Sequence, residues 1–272
     1  MRLGFIGAGA IASCLVTGFC GGEVKHSICV SPRNREKAAA LQAAFPDQVR
    51  VAESNQQVVD QSDWLFLCVR PQLAPAVISS LCFRPEHQVI SLLSDQDLSL
   101  VSQWVGPVAL LARAVPMSFN AQRFGPIVLY PDLPPPRQLL NQVGQVVGVE
   151  REEQAQTLLA LTAVQASFFT LLHDMTLWGE HNGVERETAI QYLSAMFQAF
   201  CREAQDIEAS ALGELAQKMT PGGLNWMVKT ALTDSGALGQ WTQALDRVMH
   251  RLQPIAGRKQ PDKPQQTNIS NI

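Results

Sequence analysis

Leu3-Gly4-Phe5-Ile6-Gly7-Ala8-Gly9-Ala10-Ile11-Ala12, running on to Thr17, is the stretch on which the fold turns. Its short apolar run reads as a buried strand, and Gly7 to Ala12 matches the G-x-G-x-x-G/A fingerprint. Each small residue answers a physical demand. Gly7 permits the tight turn, Gly9 lets the backbone approach a pyrophosphate, and Ala12 lets helix pack closely on strand. The helix opening at Ala10 points unpaired N–H groups and its positive dipole end at the phosphates. A glycine turn also occurs for steric reasons alone. Here the motif follows a strand and opens an alanine-rich helix, the context that dinucleotide binding requires, so Gly7, Ala8, Gly9, Ala10, Ile11 and Ala12 are read as cofactor-binding.

The next strand, Ser27 to Val30, ends in Ser31-Pro32-Arg33-Asn34-Arg35. A site for NAD carries Asp or Glu about 20 residues past the glycines, accepting from the ribose 2′-OH. No carboxylate stands here. A hydroxyl and two guanidinium groups do, and a guanidinium fork suits a 2′-phosphate. Ser31, Arg33 and Arg35 therefore favour NADPH over NADH; the alternative is a solvated basic turn before a helix.

A chain of 272 residues has room for two modest domains. The net charge of -3 offers no electrostatic reason to expect nucleic acid or an anionic membrane. Its six cysteines show no C-x-x-C pair or zinc spacing, and no metal site is expected. The repeated glycines of the first strand argue against a signal peptide, and no uninterrupted apolar stretch looks long enough to cross a bilayer. The expectation is a soluble, cytoplasmic enzyme.

Strands and helices alternate from Arg2 to Val149, the doubly wound pattern. Trp64 to Val69 reads as a buried parallel strand ending in Val69-Arg70-Pro71-Gln72, a loop expected to face the cofactor because ligands lie beyond the carboxyl ends of such strands. Pro131 to Pro136 reads as a loop, Gln138 to Val147 as a helix, and Val146 to Val149 as the start of a last strand. Past Arg151 the signal is helical, beginning with one long helix from Glu152 to Trp178. The spacing thus predicts an α/β plus all-α chain: a Rossmann-like NADP-binding domain over 1–150, a helical dimerisation domain over 151–253, and a disordered tail over 254–272. The helical apolar faces exceed what one small bundle needs, which points to a homodimer.

Three separated stretches, Gly4-Phe5-Ile6-Gly7-Ala8-Gly9, Val69-Arg70-Pro71-Gln72 and Thr220-Pro221-Gly222-Gly223, resemble the Δ1-pyrroline-5-carboxylate reductase family. The family versions read roughly GFIGxGxM, VKPQ and SPGGTT, and the layout agrees from Met1 to about Leu252. The resemblance implies NADP(H) as cofactor, a helical domain over 151–253 that serves dimerisation and substrate alike, and reduction of a small carboxylated cyclic imine, with proline biosynthesis in the proline-forming members. It implies cofactor contacts at Gly7, Gly9, Ser31, Arg33 and Val69 to Gln72, and substrate contacts at Thr220, Gly222, Gly223, Leu224 and Asn225. Where the family has paired threonines, this chain has Leu224 and Asn225. Arg113-Ala114-Val115-Pro116-Met117 resembles the family's R-x-M-P-N, with Met117 in the asparagine's place. The family's small A-A-G turn near the nicotinamide corresponds to Leu93-Ser94-Asp95.

Pro and Gly just before a helix leave N–H groups facing outward, so the 220–223 segment suits a substrate carboxylate. Asn225 is the candidate catalytic residue, hydrogen-bonding the substrate nitrogen in place of a threonine hydroxyl. His173, Asp174, His181 and Tyr192 sit on helices and are more simply structural. No lysine lies between Ala38 and Gln217. The β-hydroxyacid dehydrogenases share this layout and use a lysine from that span as acid and base, so their chemistry is disfavoured. Two alternatives stand beside imine reduction: an oxidoreductase of the same scaffold with a changed substrate, and a non-catalytic NADPH-binding dimer.

Overall fold

The computed structural model describes residues 1–94 and 96–252. Its centre is β1 (Arg2–Ile6), where Leu3, Phe5 and Ile6 are wholly buried. A strand covered on both faces needs a continuous apolar run rather than alternation, and this one has it. Around it the chain winds through α1 (Ala10–Cys20), β2 (Ser27–Val30), α2 (Arg35–Ala44), β3 (Val49–Val51), α3 (Asn55–Asp60) and β4 (Trp64–Leu67). Then come α4 (Ala74–Ile78), β5 (Gln88–Ser91), α5 (Leu98–Val105), β6 (Leu110–Val115), β7 (Pro126–Tyr130), α6 (Pro134–Leu140) and β8 (Gln145–Gly148).

The eight strands lie in the order β3-β2-β1-β4-β5-β6-β7-β8, with β7 antiparallel to β6 and all other neighbours parallel. Strand order reverses between β1 and β4. At that point connections leave to opposite faces, opening a crevice beyond the carboxyl ends of the strands. Apolar side chains pack on both faces: Leu15, Phe19 and Phe66 in one core, Val59, Leu65 and Ile78 in the other. Phe5 and Phe66 stack across β1 and β4 with ring centroids 4.5 Å apart.

The helical half begins with α7 (Glu152–Thr162), whose Ala155 packs on Val115 and Val128 of the sheet. It continues through α8 (Gln165–His181), α9 (Arg186–Gln205), the short α10 (Leu212–Leu215), α11 (Leu224–Asp234) and α12 (Ala237–Leu252). Helices α8 and α9 pair, with Phe168 edge-on to Phe197 at 5.7 Å, while α12 folds back on α7 and α11 rests on α12. Large apolar side chains on these helices stay exposed, among them Phe169, Trp178, Tyr192 and Phe200.

Three sequence expectations are corrected. The long helix divides at Ala163 and Val164, whose N–H groups reach Ala160 and Leu161, three residues back rather than four. The Thr162 hydroxyl donates to the Leu159 carbonyl at 2.7 Å at the same turn. The break therefore needs no glycine or proline. The expected proline loop is instead the start of α6, with Pro134, Pro135 and Pro136 in its first turn. N–H groups there have no intrahelical partner, so their loss costs little. The helix consequently ends at Leu140, and β8 takes residues expected to be helical. Finally, residues 152–181 taken through the bend are long and apolar enough, by length and composition, to span a bilayer. Little of that run is buried, and it carries His173 and Asp174. The expected tail over 254–272 lies outside the described residues.

Candidate functional site

The glycine turn sits at the β1–β4 crevice. Gly7 has φ of +107°, the left-handed region that side chains resist, and a Cβ there would lie 2.6 Å from the Cys68 carbonyl oxygen. No other residue fits. At Gly9 the space is open, the nearest atom being the same carbonyl at 4.0 Å. A ligand's phosphates thus meet bare backbone. Gly9 caps α1 without any side-chain hydrogen bond, and the first helical bond is from Ser13 N–H to the Gly9 carbonyl at 2.9 Å. The N–H groups of Ala10, Ile11 and Ala12 are therefore left for a ligand, in a first turn carrying no carboxylate.

Ser31 is fully buried, and its hydroxyl accepts the Gly7 N–H at 2.8 Å. Its visible task is to hold the turn, which follows from its position one residue past β2 and beside β1. The guanidinium groups of Arg33 and Arg35 line the same cleft of about 880 Å³. So does Lys37, which the sequence reading passed over although it sits in the first turn of α2. Asn34 caps that helix, its Oδ1 accepting the Lys37 N–H at 3.4 Å, so the basic residues fall on a helix start that an Asn before a helical run announces. None of the ion pairs among the described residues uses Arg33, Arg35, Lys37 or Arg70. The cleft holds one opposing carboxylate, Glu36. This composition, a glycine turn at one end and unpaired cations at the other, fits a phosphorylated dinucleotide.

The opposite wall comes from the end of β4: Cys68, Val69, Arg70 and Leu73. Pro71 and Gln72 begin a single 3-10 turn, with Pro71 at the first position. Burial pushes the Cys68 thiol well up, so it stays protonated and supplies no nucleophile. Ala12 is buried in the core, Ile11 is exposed, and neither lines the cleft.

The proposed substrate loop lies elsewhere. The cleft draws its lining only from residues 7–73, and Thr220, Gly222, Gly223, Leu224 and Asn225 contribute nothing to it. They form a turn in which Gly222 takes φ of +73° and the Gly223 N–H donates to the Thr220 carbonyl at 2.9 Å. Gly223 caps α11 with no side-chain bond, and Leu224 is 83% exposed. His173, Asp174, His181 and Tyr192 are likewise exposed on α8 and α9. Met117 turns inward instead: its N–H meets Asn120 Oδ1 at 2.6 Å and its carbonyl accepts the Cys14 thiol at 3.2 Å. Leu93 is buried under α5, and Asp95 lies outside the described residues. Among the described residues no group of His, Cys, Asp and Glu has the geometry of a metal site.

Residues 2–95 match a family model described as NADP oxidoreductase, coenzyme F420-dependent. The chain is 28% identical to a pyrroline-5-carboxylate reductase of Pseudomonas aeruginosa, covering 94% of this chain and 97% of that one. In fold it is similar to the 1-pyrroline-5-carboxylate reductase of Streptococcus pyogenes, with a TM-score of 0.80 at 21% identity over 93% of this chain and 98% of that one. It is also similar to Plasmodium falciparum pyrroline carboxylate reductase with NADP bound, with a TM-score of 0.77 at 14% identity over 93% and 97%. The glycine turn, the strand order and an alignment running the length of both chains agree: in sequence and fold this chain is similar to pyrroline-5-carboxylate reductases.

Proposed function

We propose that the protein is an NADPH-dependent reductase acting on the C=N bond of a small carboxylated cyclic imine, as its pyrroline-5-carboxylate reductase relatives do. The observation that carries this is the cleft at the β1–β4 crevice, with a backbone-only approach at Gly9 and an unpaired cation cluster at Arg33, Arg35 and Lys37. In this reading the Gly7–Ala12 turn holds the pyrophosphate and the basic residues hold the 2′-phosphate. The loop Val69 to Gln72 borders the cofactor on the far side. When bound, NADPH supplies the hydride that the imine carbon accepts.

Such chemistry asks little of side chains. A protonated imine is already electrophilic, so the protein must orient its carbon, exclude water and bind its carboxylate. The 220–223 turn, with an uncapped helix start at Gly223, provides outward N–H groups for the carboxylate. Asn225 hydrogen-bonds the substrate nitrogen, and Asn225→Ala should lose turnover without losing NADPH affinity.

The chain is read as two units, a cofactor domain over 1–150 and a helical domain over 151–253. The exposed apolar side chains of α8 and α9 are read as a homodimer interface. The six cysteines are all free thiols, as expected of a cytoplasmic protein. The route is proline biosynthesis if the five-membered ring is the substrate. Leu224 and Asn225, where the family pairs threonines, favour a second reading in which the same scaffold takes a different imine or binds NADPH without turnover.

The test is loss of NADPH absorbance with Δ1-pyrroline-5-carboxylate, beside the six-membered piperideine carboxylate and with NADH as control. Turnover of the five-membered ring supports the proline-forming reading. Turnover of the larger ring alone supports a changed substrate. NADPH binding with no turnover of either supports the non-catalytic dimer.

A further inference from the structure

We propose that Arg113 and Glu152 form a clamp that positions the loop over 92–97, and through it the nicotinamide end of the cofactor. The proposal rests on the NADPH-binding reading above. With the basic wall beside β2, a dinucleotide lying across the switch point directs its other half toward the carboxyl ends of β4 and β5. The segment leaving β5 there is 92–97.

Leu93 and Leu98, near the two ends of that segment, are each held by a hydrogen bond that leads back to β6. At its start the buried Ser91 hydroxyl accepts the Leu93 N–H at 3.3 Å. Ser91 is the direct strand partner of Arg113 in the β5–β6 ladder. At its end the Leu98 N–H donates to Glu152 Oε1 at 2.7 Å. Asp97, the residue in the cap position of α5, makes no capping hydrogen bond. A carboxylate 54 positions away, at the first residue of α7, caps the helix instead.

Glu152 is held in place by Arg113, whose Nη2 lies 2.7 Å from the same Oε1. Arg113 is only 2% exposed and ranks among the largest fully buried side chains. Its Nε and Nη2 find no aligned hydrogen-bond acceptor, so the short contact is an ionic attraction rather than a good hydrogen bond. A buried cation so sparsely bonded is costly on its own, and this carboxylate is its compensation. Its use follows from where the pair sits. Strand β6, the start of α5 and the start of α7 meet at one carboxylate, which ties the three elements together at that point.

The experiment uses the full chain. Arg113→Met with Glu152→Leu removes both charges together, a replacement that buried ion pairs commonly tolerate in folding. Glu152→Gln removes the charge and keeps an acceptor for the Leu98 N–H. In the double variant, amide hydrogen exchange over 92–98 should accelerate on the order of tenfold through easier local opening. The Kd for NADPH should stay within about threefold, while kcat with the preferred imine falls about ten- to a hundred-fold with little change in its KM, the mark of misplacement rather than lost binding. Glu152→Gln, which leaves the buried Arg113 without its counter-charge, should also lose exchange protection over 92–98, and full wild-type protection in that variant would show that the charge pair is not the clamp.

Unchanged exchange over 92–98 in the double variant overturns the clamp. Faster exchange with unchanged kcat overturns its positioning role. If the wild-type chain binds NADPH but reduces no imine, the catalytic reading fails by itself. The clamp is then judged by emission of bound NADPH at equal occupancy: a changed spectrum in the double variant supports it, and an unchanged one overturns it.

Discussion

The buried hydroxyl of Ser31 accepts the backbone N–H of Gly7 across 2.8 Å, so the end of β2 braces the turn at the end of β1. Ser31 thereby acts on both cofactors alike, whatever their 2′ substituent. Ser31→Ala should lower unfolding stability by about 1 kcal/mol, the size of one buried hydrogen bond with its orphaned donor. Affinity for NADPH and NADH should fall by similar factors, measured by fluorescence titration; a loss confined to NADPH would place the hydroxyl on the 2′-phosphate.

Arg33 and Arg35 should behave in the opposite manner. If each makes the proposed charge-assisted contact with a phosphate that NADH lacks, Arg33→Ala with Arg35→Ala should weaken NADPH about ten- to a hundred-fold. NADH affinity should hardly move. Added salt should narrow the difference in the wild type, because these side chains are exposed and screened.

Gly7→Ala should be the most damaging single change in the cleft. The new methyl group meets the Cys68 carbonyl at 2.6 Å with φ at +107°, a clash with backbone that no rotamer relieves. The strain is about 1–3 kcal/mol, and thermal melts should show the loss together with abolished cofactor binding.

Two histidines predict how stability responds to acid. His26 Nε2 pairs with Gln142 Oε1 at 2.8 Å, and its Nδ1 is buried without a partner. His87 Nδ1 accepts the Arg84 N–H at 2.9 Å, so protonation would remove that acceptor. Burial lowers the pKa of both, with Arg84 adding to the effect at His87. The folded state thus takes up these protons less readily than the unfolded chain, whose histidines titrate near 6.5. Their contribution is complete above about pH 6.5 and drains away as pH falls from there toward the depressed folded values. Melting temperature should drop between pH 7.5 and 5.5, and His87→Asn, which keeps an acceptor for Arg84, should flatten that slope.

The exposed aromatics predict association. Phe169 and Trp178 are 57% and 70% exposed, on opposite sides of α8. Phe169→Glu with Trp178→Glu should convert a dimer to monomers in light scattering and leave NADPH binding intact. A wild-type chain already monomeric at micromolar concentration would remove the interface assigned to α8 and α9.

Local signals carried far in this chain. Leu3 to Ile6 could only be a strand buried on both faces, and the following small residues could only serve a tight turn into a helix. What went astray has identifiable causes. Three prolines look like a loop until they are placed in a helix's first turn, where the missing N–H groups are not needed. The bend at Ala163 rests on a shift of hydrogen bonding that leaves no trace in composition. Lys37 joins Arg33 and Arg35 because the helix capped at Asn34 brings its first turn to the cleft, which a lysine inside a helical run does not announce. The union of Arg113, Glu152 and Leu98 joins three elements far apart in the chain, which periodicity cannot bring together.

The cleft lining is confined to residues 7–73. On the proposed reading, cofactor preference is therefore written in one contiguous segment, separate from the turn at 220–225. Such a segment is transplantable. On that reading, exchanging the few residues after β2 should recut the choice of nucleotide without editing the turn proposed to meet the imine, and drift in that turn should leave the nucleotide grip untouched. The two specificities of this scaffold can diversify on separate clocks.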